Sequence, residues 1–189
     1  RGTKYVTFEG GHRVPFIFHW PAKIKERMES EVRIHAMDLF PTLSQIIGAK
    51  LPQDRIFDGE SLLPLFEDKT LTRKAHHPFF YYNCENLQAV RKGPWKLHLP
   101  RNQQQLPFWD KNKVFLNKAQ PVLYNLVDDR GETRNVAAQH PEVVQRMVAL
   151  SKEKRAELGE YLKRGKGQRP TGSVIRGAPI VSHEKDWGK

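Results

Sequence analysis

Short apolar runs separated by turn residues fill the middle of the chain, and a single long helical period follows them. Residues 79–82, 87–91, 95–99 and 122–125 are aromatic or branched runs of strand length, with Lys92-Gly93-Pro94 as a turn signal between two of them. This pattern predicts a four-stranded antiparallel sheet. Pro141 suits the first position of a helix. Behind it Val144, Met147, Val148, Ser151, Arg155, Leu158 and Leu162 recur at helical spacing, so the helix is expected to lie across the sheet and bury that stripe. Nearer the start, residues 16–20 form an aromatic run closed by Pro21 and read as a buried strand. A helix is expected over residues 38–47, with Asp38 as its cap, Pro41 in its first turn and Gly48 at its end. Leu39, Leu43, Ile46 and Ile47 would form its core face. Residues 61–66 can make one helical turn. Residues 23–33 read as charged and turn-like, 100–119 as a long surface loop, and 163–189 as a basic Gly/Pro-containing tail.

Composition narrows the class. The 189 residues are 38% hydrophobic and 10% aromatic, enough to build a core. No apolar run approaches the roughly 20 residues of a membrane helix. Arg1 is not an initiator Met, and the start reads as a fragment boundary. The formal net charge of +11 favours anionic partners. No helix-turn-helix, zinc-finger or RNP-like pattern accompanies it, so no specific nucleic acid is expected. Cys84 is the only cysteine, which excludes an internal disulfide and a Cys-rich metal site. It reads as a small, partly buried thiol beside the 79–82 strand. His19, His35 and His98 lie in or beside apolar runs and read as core or edge histidines, and His76-His77 as loop residues. Asp58-Gly59 reads as a turn, because nothing nearby supplies the other oxygens that Ca²⁺ requires.

The chemistry sits near the start. Lys4 lies a few residues before Phe8-Glu9-Gly10-Gly11-His12-Arg13-Val14-Pro15. A cation and a glycine pair beside a buried strand suit an anion site at a sheet edge. The alternative is a turn into the strand with Lys4 solvated. This segment resembles the lysine-bearing motif of the sulfatase family: Lys, three residues, an aromatic, then Glu-Gly-Gly-x-Arg-x-Pro.

Four further segments resemble that family in order: Asp38-Leu39-Phe40-Pro41-Thr42-Leu43 with Ile46-Ile47-Gly48, Asp58-Gly59-Glu60-Ser61-Leu62-Leu63-Pro64-Leu65, Gln88-Ala89-Val90-Arg91-Lys92-Gly93-Pro94-Trp95-Lys96-Leu97, and Leu123-Tyr124-Asn125-Leu126 with Asp128 to Asn135.

The resemblance implies an α/β architecture (here an α+β fragment). Residues 1–75 would end an alkaline-phosphatase-like sulfatase catalytic domain. Residues 76–162 would form a small antiparallel four-stranded sheet packed with a C-terminal helix, and 163–189 a tail. It further implies hydrolysis of a sulfate ester, an aryl sulfate or sulfated glycan, by a formylglycine nucleophile with Ca²⁺ or another divalent cation. Lys4 matches the lysine that contacts the substrate sulfate. Glu9 and Arg13 match motif positions that read as a supporting ion pair, and His12 falls at a variable position without a role. Cys84 does not stand in Cys-x-Pro-Ser-Arg, and no metal ligands are assigned in this chain, so the chain alone is expected to be inactive. A secreted, periplasmic or lysosomal-type compartment is implied. Two other readings stay open: a non-catalytic basic module for sulfated glycans or other polyanions, and a phosphoester or phosphonate hydrolase of the same superfamily.

Overall fold

A computed structural model describes residues 2, 4, 6–24, 28–67, 77–101, 119–160 and 162–168. Its centre is an antiparallel sheet of four strands in the order β1 (Phe79–Asn83), β2 (Asn86–Lys92), β3 (Trp95–His98) and β4 (Val122–Asn125). The expected sheet is present, with edges within a residue of the apolar runs. Asn83 pairs with Asn86 across the β1–β2 turn, and Lys92 with Trp95 across the β2–β3 turn. Cys84 occupies the first of these turns at φ 51° and is exposed, so it is not the partly buried thiol expected from its neighbours.

Register slips once. Tyr81 faces Ala89 while Tyr82 faces Leu87, which leaves Gln88 as an extra residue in β2. Such a bulge re-aims side chains. It lets Leu87 and Val90, three residues apart, both join the core under the helix, while Gln88 is buried elsewhere.

That core lies between one sheet face and the long helix, here α4 (Pro141–Leu158). Leu87, Val90, Leu97, Leu99 and Leu123 meet Val136, Val143 and Met147. Burying each Leu or Val contributes about 1.5–3 kcal/mol. Pro141 opens the helix, as expected, and Gly159 closes it at φ 85°, a conformation glycine adopts without strain. The buried stripe is Val143, Met147 and Ser151. Met147 and Ser151 agree with the expected face, whereas Leu162 lies beyond the helix and is exposed. The chain reverses there: β5 (Gly159–Glu160) pairs with β6 (Lys163–Arg164), so the expected tail begins as a short hairpin.

The first third of the described chain departs further from the hydrophobic pattern. Residues 13–20 form no regular element, and Phe16, Ile17 and Phe18 are exposed rather than buried as a strand. None of the described strands pairs with this run. Phe18 instead packs edge-on against Phe16 and Phe66, with ring centroids 4.7 and 4.6 Å away. A short helix, α1 (Glu9–His12), precedes this run. A 3₁₀ turn, Ala36–Asp38, leads into α2 (Leu39–Ile46).

The expected core face of α2 is reversed: Leu43, Ile46 and Ile47 are exposed, while Pro41, Thr42 and Ser44 are buried. The physical reason is polar anchoring. Thr42 Oγ1 donates to the Asp38 carbonyl (2.6 Å) and accepts the Leu62 N–H (2.9 Å). The Asp38 carboxylate does not cap α2. It accepts the His35 N–H and the Glu60 N–H, each at 2.9 Å, which ties the 58–62 loop to the helix start. The expected helical turn appears as α3 (Leu63–Glu67). Most of the expected 100–119 loop and the tail from residue 169 lie outside the described residues.

Candidate functional site

Alternation along β3 sends Trp95 and Leu97 toward α4, so Lys96 and His98 point to the opposite face. On an open sheet that face would meet water. Here residues 6–12 cover it. Val6 and Phe8 pack with Val122, Tyr124 and Leu126, and the Phe8 ring stacks on His98 with centroids 4.4 Å apart. Covering the face buries Lys96, His98, Thr7, Glu9, Gln88, Arg101 and Glu132, each no more than 6% exposed.

Buried charges persist only when paired, and these are. Lys96 Nζ lies 2.9 Å from Glu9 Oε1 and 3.1 Å from Glu132 Oε1. It also sits 4.5 Å above the centre of the Tyr81 ring. Glu132 Oε2 accepts the backbone N–H of Glu9 at 2.6 Å. Arg91 Nη1 donates to Glu9 Oε2 at 3.2 Å. At the far end Arg101 Nη2 donates to Thr7 Oγ1 (2.9 Å), and Thr7 Oγ1 donates to Gln88 Oε1 (3.2 Å).

Protonation follows from this wiring. Arg101 Nη2 can only donate, and it lies 3.3 Å from His98 Nδ1, so Nδ1 carries no proton. His98 Nε2 therefore holds the proton and donates to Glu132 Oε1 at 2.7 Å. Burial, with the Lys96 and Arg101 charges, pushes the His98 pKa down to about 4, and the ring is neutral at pH 7. Burial alone would raise the Glu132 carboxyl, but the His98 hydrogen bond, the Lys96 charge and the Glu9 N–H outweigh it and hold it below the usual range. Arg101 is lowered by burial to about 10 and stays a cation. Tyr81 is pushed up to about 12 by burial and the Glu9 charge. Two carboxylates thus face three cations around a neutral imidazole.

Lys4, the expected sulfate-contacting residue, is exposed on the segment just before this cluster. Glu9 is inside the cluster. Arg13 is 44% exposed in its side chain, with Nη1 4.0 Å from Glu9 Oε2 and Nη2 3.8 Å from Glu31. Glu9 therefore has shorter bonds to Lys96 and Arg91 than to Arg13. His12 meets the edge of Tyr81 at 5.0 Å, and its pKa is lowered by burial and by Lys96. His98 is a core histidine, as expected; His19 is exposed, contrary to expectation.

Sequence reasoning missed Lys96, Glu132, Arg91 and Arg101. The available signal was the charged residues inside two family-like segments, Arg91 and Lys96 in one and Glu132 in the other, with Lys96 wedged between Trp95 and Leu97; Arg101 lies outside those segments. No three His, Cys, Asp or Glu side chains among the described residues come together to hold a metal ion. Cys84 lies in the exposed Asn83-Cys84-Glu85-Asn86 turn, outside any Cys-x-Pro-Ser-Arg sequence.

Comparison with known proteins places both halves of the chain. Residues 74–172 match the family described as C-terminal region of aryl-sulfatase, and residues 1–49 match the family described as Sulfatase. An N-acetylgalactosamine-6-O-sulfatase of Bacteroides thetaiotaomicron is 35% identical over 150 residues, covering 79% of this chain and 29% of that protein. A solved structure from the glycosaminoglycan-metabolising core genetic locus of the same organism superposes with a TM-score of 0.68 at 33% identity, over 82% of this chain and 32% of that one. Ps i-CgsB, solved in complex with k-i-k-neocarrahexaose, superposes with a TM-score of 0.59 at 25% identity, over 77% of this chain and 29% of that one. The chain thus spans about a third or less of the length of the relatives it matches.

Proposed function

The chain belongs to the sulfatase family, matching its C-terminal portion, and we propose that it forms that part of an enzyme hydrolysing sulfate esters on a sulfated glycan. Lys4 binds the sulfate group in this reading. The observation that carries it is the placement of an exposed Lys4 just ahead of the 6–11 segment, whose residues 6–9 are buried against the sheet. A compact ammonium on an anchored segment can meet a sulfate oxygen and offset the charge that builds there in the transition state. Glu9 and Arg13 support the segment rather than touch substrate. A glycan substrate is supported by the similarity to an N-acetylgalactosamine-6-O-sulfatase and to Ps i-CgsB, which was solved with k-i-k-neocarrahexaose.

The nucleophile and the divalent cation are proposed to come from outside this chain, and no reaction step is drawn through them. This chain alone is accordingly expected to show no turnover. Residues 1–75 are assigned to the end of the catalytic domain, 76–162 to the small sheet-and-helix domain, and 163–189 to a tail. A secreted, periplasmic or lysosomal-type setting is proposed from membership of the family alone. None of the described helices is long and apolar enough to cross a membrane.

The test is Lys4→Ala in the intact enzyme carrying this chain. Sulfate-ester kcat/KM should fall about 100-fold or more, the scale seen when one charge-stabilising donor is removed from an active site, while thermal unfolding is nearly unchanged. Unchanged kcat/KM would refute the role.

A further inference from the structure

We propose that the buried cluster of Glu9, Lys96, Glu132 and Arg101 is the positioning device for the Lys4 loop, so that the small sheet sets where the Lys4 ammonium sits. The inference rests on the sulfate-binding role proposed for Lys4.

The charged side chains of the sheet reach across this seam to Thr7 and Glu9, just behind the loop. Arg101 holds Thr7 Oγ1, Lys96 and Arg91 hold the Glu9 carboxylate, and Glu132 holds the Glu9 backbone N–H. Lys4 lies between Gly2 and Val6, and both flanks of the loop come together. A methyl group placed on Gly2, at φ 89°, would come within 2.8 Å of Phe8 Cβ and of Val6 Cγ2. Gly2, on the far side of Lys4, therefore lies against Val6 and Phe8, in the stretch that the cluster holds.

Apolar packing of Val6 and Phe8 on Val122, Tyr124 and Leu126 is non-directional and sets burial more than register. Sliding an extended segment by one residue moves it roughly 3.3 Å, which no hydrogen bond survives. Charge-assisted bonds at 2.6–3.2 Å on both the side chain and the backbone of Glu9 thus select a single register.

The cluster is also costly in ways that stability alone does not explain. Glu132 is fully buried yet holds φ at 54°, a region that non-glycine residues rarely adopt. Well-packed apolar residues often match or exceed a buried ion cluster in stability, so a specific geometry is the better account of one this large. The charged residues at the seam come from distant parts of the chain: Glu9 from the lysine-bearing segment, Arg91 and Lys96 from the 88–97 segment, Glu132 from the 128–135 segment, and Arg101 from outside the family-like segments. Residues 87 to 123 positions apart converge on a single carboxylate pair.

The test is a double-mutant cycle in the intact enzyme with a sulfate ester as substrate, using Glu132→Gln and Lys4→Ala. Glutamine keeps the volume and can still accept the Glu9 N–H, but it removes the charge that Lys96 and His98 face. Glu132→Gln should lower kcat at least about 10-fold per folded enzyme, since a displacement near 1 Å can cost up to about 100-fold. The double variant should be no slower than Lys4→Ala alone, because both changes act through one group. A Glu132→Gln enzyme with lowered Tm but wild-type kcat, or effects of the two changes that multiply, would overturn the proposal. An inert Lys4→Ala would instead overturn the Lys4 reading and the proposal with it. Should Glu132→Gln fail to fold, Thr7→Val, which removes only the Arg101 and Gln88 bonds, carries the same cycle with the same deciding outcomes.

Discussion

Mild acid should weaken the seam between residues 6–12 and the sheet through one group, His98. The ring is neutral in the fold, with a pKa of about 4 against an ordinary value of 6.5. Glu132, Lys96 and Arg101 face it, Phe8 stacks on it, and Tyr124 meets its edge. Because its folded pKa is depressed, the unfolded chain binds the extra proton first. Its contribution is complete above pH 6.5 and is lost as pH falls from 6.5 towards 4. A full traverse is worth about 3 kcal/mol, and the span from pH 7 to pH 5 about 2 kcal/mol. Glu132, held below the usual carboxylate range, loses its contribution only under more acidic conditions, so it stays silent in this window. His12 shifts in the same sense but is exposed. A comparison of the wild type with His98→Gln cancels its effect. Urea unfolding at pH 7 and pH 5 on both proteins supplies the measurement. The wild type should lose about 2 kcal/mol more than His98→Gln between the two pH values. Equal losses would refute the buried, neutral assignment of His98.

Further substitutions probe the packing. Lys96→Met leaves the Glu9 and Glu132 carboxylates without their shared cation and should destabilise by about 3–5 kcal/mol in chemical denaturation. Adding Glu9→Gln and Glu132→Gln to Lys96→Met should restore much of that loss. Leu97→Ala empties the centre of the helix-side core and should cost about 2–5 kcal/mol by the same assay. At the end of α4, a Cβ on Gly159 would approach the Lys163 carbonyl oxygen to 2.3 Å, so Gly159→Ala should open the β5–β6 hairpin and lower Tm by several degrees.

The four strands and α4 were legible because their signals are local. Lys92-Gly93-Pro94 marks a turn whatever surrounds it, and Pro141 opens a helix by its own geometry. Which side of an element meets the core is a question about partners. The apolar stripe of α2 was read as buried, but the polar anchors Asp38 and Thr42 turn the other side inward. Residues 16–20 have the composition of a strand but no described strand beside them, and a strand exists only as a pair. The same limit hid the charged cluster. The alternation Trp95-Lys96-Leu97-His98 marks one face as apolar, while the burial of the other depends on a segment nearly ninety positions earlier. Lys4, Glu9 and Arg13 were singled out as candidates by the family-like motif. The partners of Glu9 were not, because charge pairing across that distance leaves no local pattern.

The most direct test of the central claim is product analysis on the intact enzyme carrying this chain. Inorganic sulfate released from a panel of sulfated glycans would be compared with inorganic phosphate released from a phosphate monoester. The account predicts ready sulfate release with little phosphate release, and loss of sulfate release in Lys4→Ala. A preference for the phosphate ester, or full sulfate release by Lys4→Ala, would contradict it.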